Sequence, residues 1–336
     1  MMMKRTFSFL AAATLALPLF SLSAPATAQE LRVITHSSFS LPKPMLAQFE
    51  AQAGVKLSVI KAGDAGEMLN KLILTKAQPI ADVVFGLDNA LITRAQAAGV
   101  IEPYAGAAQQ RAVAGATLAT GVVSVDYGFV TLNYDRAAFA KSGLALPKTL
   151  EELTLPRYRD LLVVQNPATS SPGQAFLLAT VAGMGETAAF DWWARMRANG
   201  VKVVKGWTEA YYTEFSRNGG TRPLVVSYAT SPAAEVFYSK EKITEPPTGN
   251  LFLKGGVFRQ VEGVALVKGG GQREAAVKFI EFMRSPAAQE ALQTTMWMFP
   301  AEPGVARPEV MRHASEPASF DNPSSEAIAE KGADWV

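Results

Sequence analysis

Two strings in this chain set hydroxyl groups at the start of a helix just beyond a strand. In LLVVQNPATSSPGQAFLLATV, Thr169, Ser170 and Ser171 precede Pro172; in LVVSYATSPAAEVF, Thr230 and Ser231 precede Pro232. Ser or Thr at a helix cap with Pro at the first helical position is an ordinary helix start. Capping alone therefore explains either string. The chemical alternative is anion binding, because free N–H groups and hydroxyls at a helix N-terminus suit a phosphate. Both strings lie beyond the carboxyl ends of strands, where open α/β sheets gather their ligands. A third start, Ser285-Pro286, follows a helix and reads as capping only.

Aromatic residues supply a second kind of chemistry. Trp207 follows a strand and a glycine in VVKGWTEAYY, Tyr228 closes the strand before the second helix start, and Trp297 sits in the turn TTMWMFPA. Each alone is explained by core packing. Together they make a flat-walled cage for a planar or cationic ligand, at about 0.5–2 kcal/mol per contact. Asp64, in the AGDAGE loop, is either a turn residue between glycines or the matching negative charge.

Other constellations are weaker. Tyr211-Tyr212 resembles the phenolate pair of periplasmic ferric-ion-binding proteins, but an amphipathic helix with one buried and one exposed ring explains it better. Gly269-Gly270-Gly271 has no P-loop context. His36 beside Ser37 and Ser38 has no nucleophile-elbow sequence with it. The acidic residues are scattered, and the sequence pattern places no pair of them on one face for glycosidase-type chemistry.

The elements that must position these groups alternate. Strand-like runs at 31–35, 56–61 and 81–87 are separated by helical patterns at 44–53 and 67–77, and a helix at 89–98 follows. Further strands are expected at 127–134, 161–165, 224–228 and 257–266, with helices at 173–182, 232–240 and 273–283. This β-α-β rhythm predicts a largely parallel sheet covered by helices. The tail after Pro300, rich in Pro, Ser and Glu, is expected to wrap loosely.

Composition narrows the function. The chain has 336 residues, 49% hydrophobic and 18% charged, with 32 Lys and Arg against 30 Asp and Glu. That suits two folded domains or one large one and gives no basic footing for nucleic acid. With no Cys and only His36 and His313, disulfides, thiol nucleophiles, Cys-ligated zinc and acyl-Cys lipid anchors are excluded. Lys4 and Arg5, the apolar run from Phe7 to Leu22 and Ala26-Thr27-Ala28 read as a secretory leader cut near Ala28. A periplasmic product is expected.

The strings ADVVFGLDNALI, VDYGFVTLNYD, QNPATSSPG, KGWTEAYYTEF, VVSYATSPA and TTMWMFPA, in that order, carry a resemblance over about Leu31 to Ala301. The chain is similar to the periplasmic thiamine-binding proteins of bacterial ABC importers. The resemblance implies an α/β, two-lobed type II solute-binding fold, each lobe a mixed, mostly parallel sheet flanked by helices, with ligand in the cleft. It implies no catalysis, no cofactor and no metal; thiamine or its phosphate esters would be the cargo. Partners would be an ABC permease and its ATPase, with the binding protein a monomer. Ligand contacts fall on Asp64, Ser170, Ser171, Trp207, Tyr228, Ala229, Thr230, Ser231 and Trp297, with Tyr127 and His36 as further wall residues. The family's Tyr-Asp after the first strand is His36-Ser37 here, Ala65 replaces a Gly, and Ala234 replaces an aromatic. Residues 1–28 would be the leader, 29–125 with 256–299 one lobe, and 126–255 with 300–336 the other. Rival readings are a ferric-ion carrier using Tyr211 and Tyr212, a binder of another organic cation, and a thiaminase, whose Cys nucleophile this chain lacks.

Overall fold

The computed structural model describes residues 29–119 and 121–336. The leader expected at 1–28 lies outside them. The first half carries β1 (Gln29–Thr35), α1 (Lys43–Ala53), β2 (Val55–Lys61), α2 (Ala65–Leu74), β3 (Val83–Asp88), α3 (Ile92–Ala98) and β4 (Ile101–Glu102). The long strand β5 (Val123–Asp135) then leads to α4 (Arg136–Ser142), β6 (Leu162–Gln165), α5 (Ser171–Met184), α6 (Glu186–Ala198) and β7 (Lys202–Val204). The short α7 (Trp207–Glu209), β8 (Leu224–Tyr228), α8 (Ser231–Phe237) and β9 (Thr248–Leu251) complete that part. The chain returns through β10 (Phe258–Val267), α9 (Arg273–Met283), α10 (Pro286–Thr295) and β11 (Phe299–Pro300), and ends on α11 (Ser325–Trp335).

One lobe has the strand order β2–β1–β3–β10–β5, the other β7–β6–β8–β5–β9. In each, three parallel strands meet an antiparallel crossing strand. Strand β5 serves both lobes: Val123–Val130 pairs with β10, and Val130–Tyr134 with β8. The sheet is buried on both faces, as parallel sheets are. In β1, Leu31 and Val33 enter one apolar core and Ile34 the other. The expected mixed, two-lobed architecture is therefore present.

Some local readings differ. The helix expected from Asn89 begins at Ile92, because Asp88 Oδ1 accepts the N–H groups of Ala90 and Leu91 and holds those residues in a turn. Helix α6 falls where no element was expected, and it buries Ala189, Trp192 and Met196 at helical spacing. The tail is not loose. Met311 is buried, Asp321 accepts from the Gly255 N–H, and α11 buries Ile328 and Trp335 in the second lobe.

Candidate functional site

Between the lobes lies a cavity of about 540 Å³, within the range of small-molecule sites. One wall is built by the turn after β7. Trp207 and Tyr211 are one helical turn apart and stack with ring centroids 5.0 Å apart at 18°. A π-type turn at Ala210–Glu214 follows α7 and carries Tyr211 and Tyr212, a distortion common at functional sites. Trp297, also in the lining, leans on Phe237 and Tyr238, which continue the aromatic surface towards solvent.

The two helix starts do different work. At the second, Thr230 Oγ1 donates to the Trp297 carbonyl at 2.6 Å, and Ser231 Oγ bonds Ser227 Oγ at 2.9 Å. Ser227 in turn accepts from Trp207 Nε1 at 2.8 Å. These hydroxyls are committed to holding the two tryptophans. Trp297 has a φ of +60°, uncommon for a bulky residue, and the Thr230 bond is part of what fixes it. At the first helix start, Ser170 and Ser171 are 1% and 2% exposed, and neither Oγ has a hydrogen-bond partner. Neither caps α5. Orphan buried hydroxyls cost about 1–3 kcal/mol each, and here they stand with the unpaired N–H groups of a helix N-terminus.

The floor is acidic. Glu262 on β10 is in register with Asp88 on β3 and with Asp126 on β5, so three carboxyl groups stand in one row across neighbouring strands. A bulge on each side sets the row: Gly86 is the extra residue on β3 and Val125 on β5. Gly86 has a φ of +100°, and the His36 ring fills the space a Cβ there would need. His36 Nδ1 accepts from Ser38 N–H, leaving Nε2 to face Glu262 Oε2 at 3.5 Å. Burial lowers the His36 pKa, but Glu262, helped by Asp64 and Asp88, outweighs it and leaves the imidazole above its ordinary range. Burial, reinforced by Glu262, lifts Asp88 to about 7. Burial and then Glu262 raise Asp126 well above the carboxylate range.

These are the features of a binding cleft, and the comparisons agree. The family model described as bacterial extracellular solute-binding protein matches residues 78–331. The chain belongs to this family. The thiamine-binding periplasmic protein of Salmonella typhimurium strain LT2 is 33% identical over 326 residues, covering 95% of this chain and 96% of its own. That of Escherichia coli strain K12 is 32% identical over the same length and coverage. A solved periplasmic thiamin binding protein superposes with a TM-score of 0.81 at 31% identity, covering 93% of this chain and 95% of that one. As a solute-binding protein the chain is a non-enzymatic component of transport.

In this solute-binding protein the lobes touch at the cleft mouth. Asp64 Oδ1 accepts from Ala65 N–H at 3.0 Å at the start of α2, and Oδ2 accepts from Trp207 N–H at 3.1 Å on the other lobe. Glu67 N–H donates to the Thr169 carbonyl at 3.2 Å, and Lys205 Nζ meets Glu67 Oε1 at 2.7 Å. Gly66 lies so close to the Ala168–Thr169 backbone that a Cβ would come within 2.8 Å of Thr169.

Of the residues singled out in the sequence, His36, Asp64, Ser171, Trp207, Tyr228, Thr230, Ser231 and Trp297 line the cavity. Ser170 and Ala229 lie just behind that lining. Tyr127 is elsewhere. The bulge at Val125 turns it to the opposite face of β5, where it packs on Phe129 and Phe299 under Arg259. Tyr211 is buried and Tyr212 exposed, as an amphipathic turn requires. The Tyr211 hydroxyl donates to Glu235 at 2.9 Å, and burial, then Glu235, pushes its pKa up, away from phenolate. Among the described residues no cluster of His, Asp and Glu suits a metal ion. Sequence reasoning missed Ser227, Glu235 and Glu262. It also missed the carboxylate row, whose members are separated by tens of residues or more and are brought together only by strand pairing.

Proposed function

We propose that this protein is the periplasmic receptor of an ABC importer for thiamine and its phosphate esters. The observation that carries the reading is the interlobe cavity itself, with Trp207 stacked on Tyr211 on one side, Trp297 on another and unpartnered Ser170 and Ser171 hydroxyls at a helix start. Thiamine has a flat aminopyrimidine, a cationic thiazolium and a hydroxyethyl arm that can bear phosphate. The rings suit the faces of Trp207, Tyr228 and Trp297. The arm, with or without phosphate, suits Ser170, Ser171 and the first turn of α5. Relatives named as thiamine-binding periplasmic proteins support the same ligand.

On this reading Thr230 and Ser231 orient the tryptophans rather than hold the phosphate, and Asp64 closes the cleft as well as facing the ligand. Residues 29–125 with 256–299 form one lobe and 126–255 the other, with the 300–336 tail tied mainly to the second. The leader is cut near Ala28, the mature protein works as a monomer in the periplasm, and the closed form is presented to a permease driven by its ATPase.

The test is calorimetric titration of ligand-stripped mature protein with thiamine, its monophosphate and its diphosphate. One-to-one, sub-micromolar binding is expected. No heat and no thermal shift with any of the three overturns the reading. Iron loading is expected to give no tyrosinate colour; a coloured protein would favour the ferric-ion carrier instead.

A further inference from the structure

The acidic floor is unexplained by cage and hydroxyls. Like charges directly opposite one another on neighbouring strands destabilise a sheet, yet Asp88, Glu262 and Asp126 occupy one row, held there by two bulges. Asp88 and Asp126 are fully buried, and only Glu262 and His36 reach the cavity. Both Asp126 carboxyl oxygens lack an N–H or O–H donor, so their contact with Glu262 becomes a hydrogen bond only when a proton is shared. His36 Nε2 also has no hydrogen-bond partner. The remaining neighbours are polar but cannot neutralise the row: Tyr228 donates to Gln260, and Gln260 Nε2 donates to Glu262 Oε1 at 2.7 Å. The titratable groups facing it are His36 after β1, Asp64 at α2, Asp88 on β3, Asp126 on β5, Tyr228 on β8 and Glu262 itself. Among the described residues His36 is the one ion-pair partner of Glu262, at 3.5 Å.

We propose that Glu262 is the charge-selecting group of the cavity, docking a cationic, amine-bearing heterocycle, and that protons on His36 and Asp88 leave to the buffer as that positive charge arrives. This deepens the thiamine reading and rests on it. The row stays neutral without cargo only by holding protons on His36 and Asp88, and the cargo's positive charge can take their place. A cation beside Glu262 disfavours a proton on His36 by like-charge repulsion and favours ionised Asp88, so both effects release protons. Asp126 keeps the proton it shares with Glu262 and holds that carboxyl in place.

The experiment titrates wild type and Glu262→Gln with thiamine and with its neutral deaza analogue, in which a thiophene ring replaces the cationic thiazolium. Each titration is repeated in phosphate and in Tris, whose ionisation heats differ, so that proton release is read directly. Wild type is expected to prefer thiamine at least tenfold and to release a measurable fraction of a proton near pH 7. E262Q is expected to lose at least tenfold for thiamine, little for the analogue, and most of the proton release. An E262Q protein with the same preference and the same proton release overturns this proposal and leaves the thiamine reading standing. No thiamine binding by wild type overturns that reading, and this one with it. Should E262Q fail to fold, Glu262→Asp keeps the charge but withdraws it by one methylene. A reduced preference with proton release retained then supports the proposal, and wild type with no buffer-dependent heat overturns it.

Discussion

The backbone N–H of Trp207 donates to Asp64 Oδ2 at 3.1 Å, joining residues 143 positions apart across the mouth of the cleft. The same carboxylate begins helix α2 through its other oxygen. One side chain thus couples the start of a helix in the first lobe to the aromatic wall of the second. The lobes are in contact there.

Closure needs a glycine at position 66. A Cβ there would come within 2.8 Å of the Thr169 carbonyl carbon and oxygen, and these are backbone atoms that cannot swing aside. Gly66→Ala is expected to weaken thiamine binding at least tenfold, chiefly through faster dissociation. The ligand-free protein should melt no lower, because Ala in a helix is favoured over Gly by about 0.4–1 kcal/mol. Stopped-flow dissociation with a melt of the free protein checks both halves. Unchanged dissociation would mean that the ligand is held without this contact.

The ion pair beside it should matter much less. Lys205 Nζ meets Glu67 Oε1 at 2.7 Å, but the lysine side chain is 69% exposed. Exposed pairs are worth about 0–1 kcal/mol and are screened by salt. Lys205→Ala is expected to change affinity less than about fivefold, with the difference fading in high salt. A loss of a hundredfold would show that the cleft is latched by charge, not by the backbone contacts at Asp64, Glu67 and Gly66.

Ser170 and Ser171 separate stability from function. Each buries a hydroxyl with no partner, so removing it relieves a desolvation cost that the free protein bears. Ser171→Ala, and Ser170→Ala to a lesser degree, should leave the free protein as stable or slightly more so while weakening the phosphate esters more than thiamine. Comparing affinities across the three ligands gives the answer. Equal losses for all three would place the phosphate elsewhere.

The parts of this site that were legible in the sequence are those written locally. A Ser/Thr-Pro helix start after a strand is a short string, and both were visible with their place in the sheet. Trp207, Tyr228 and Trp297 could be gathered because their surrounding strings resemble a family, not because any spacing placed them together. What each helix start does was not legible, since the hydrogen bonds from Thr230 and Ser231 reach Trp297 and Ser227. Tyr127 was expected at the wall on resemblance alone, and the bulge at Val125, which reverses the alternation of β5, sets it on the other face. The row of Asp88, Asp126 and Glu262 is a product of register between strands far apart in the chain, and no local pattern encodes it.

That row should leave its mark on stability against pH. Asp88 is lifted to about 7 from an ordinary 3.8, by burial first and Glu262 second. Between those values the folded protein keeps a proton that the unfolded chain has released. Stability linked to this group is therefore fully present below about pH 4 and is lost as pH rises towards 7. Above that the folded state carries a buried charge whose cost is at most about 4 kcal/mol for a shift of this size. Asp88→Asn removes the charge yet keeps an oxygen to accept from Ala90 and Leu91 N–H, the bonds that form the turn before α3. Its amide N–H groups would also face Glu262 as donors. D88N is expected to melt close to wild type at pH 4.5 and several degrees higher at pH 8, the gap opening between pH 5 and 7. Thermal melts across that range check it, and parallel profiles for the two proteins would mean that Asp88 is ionised throughout and that the row is neutralised in some other way.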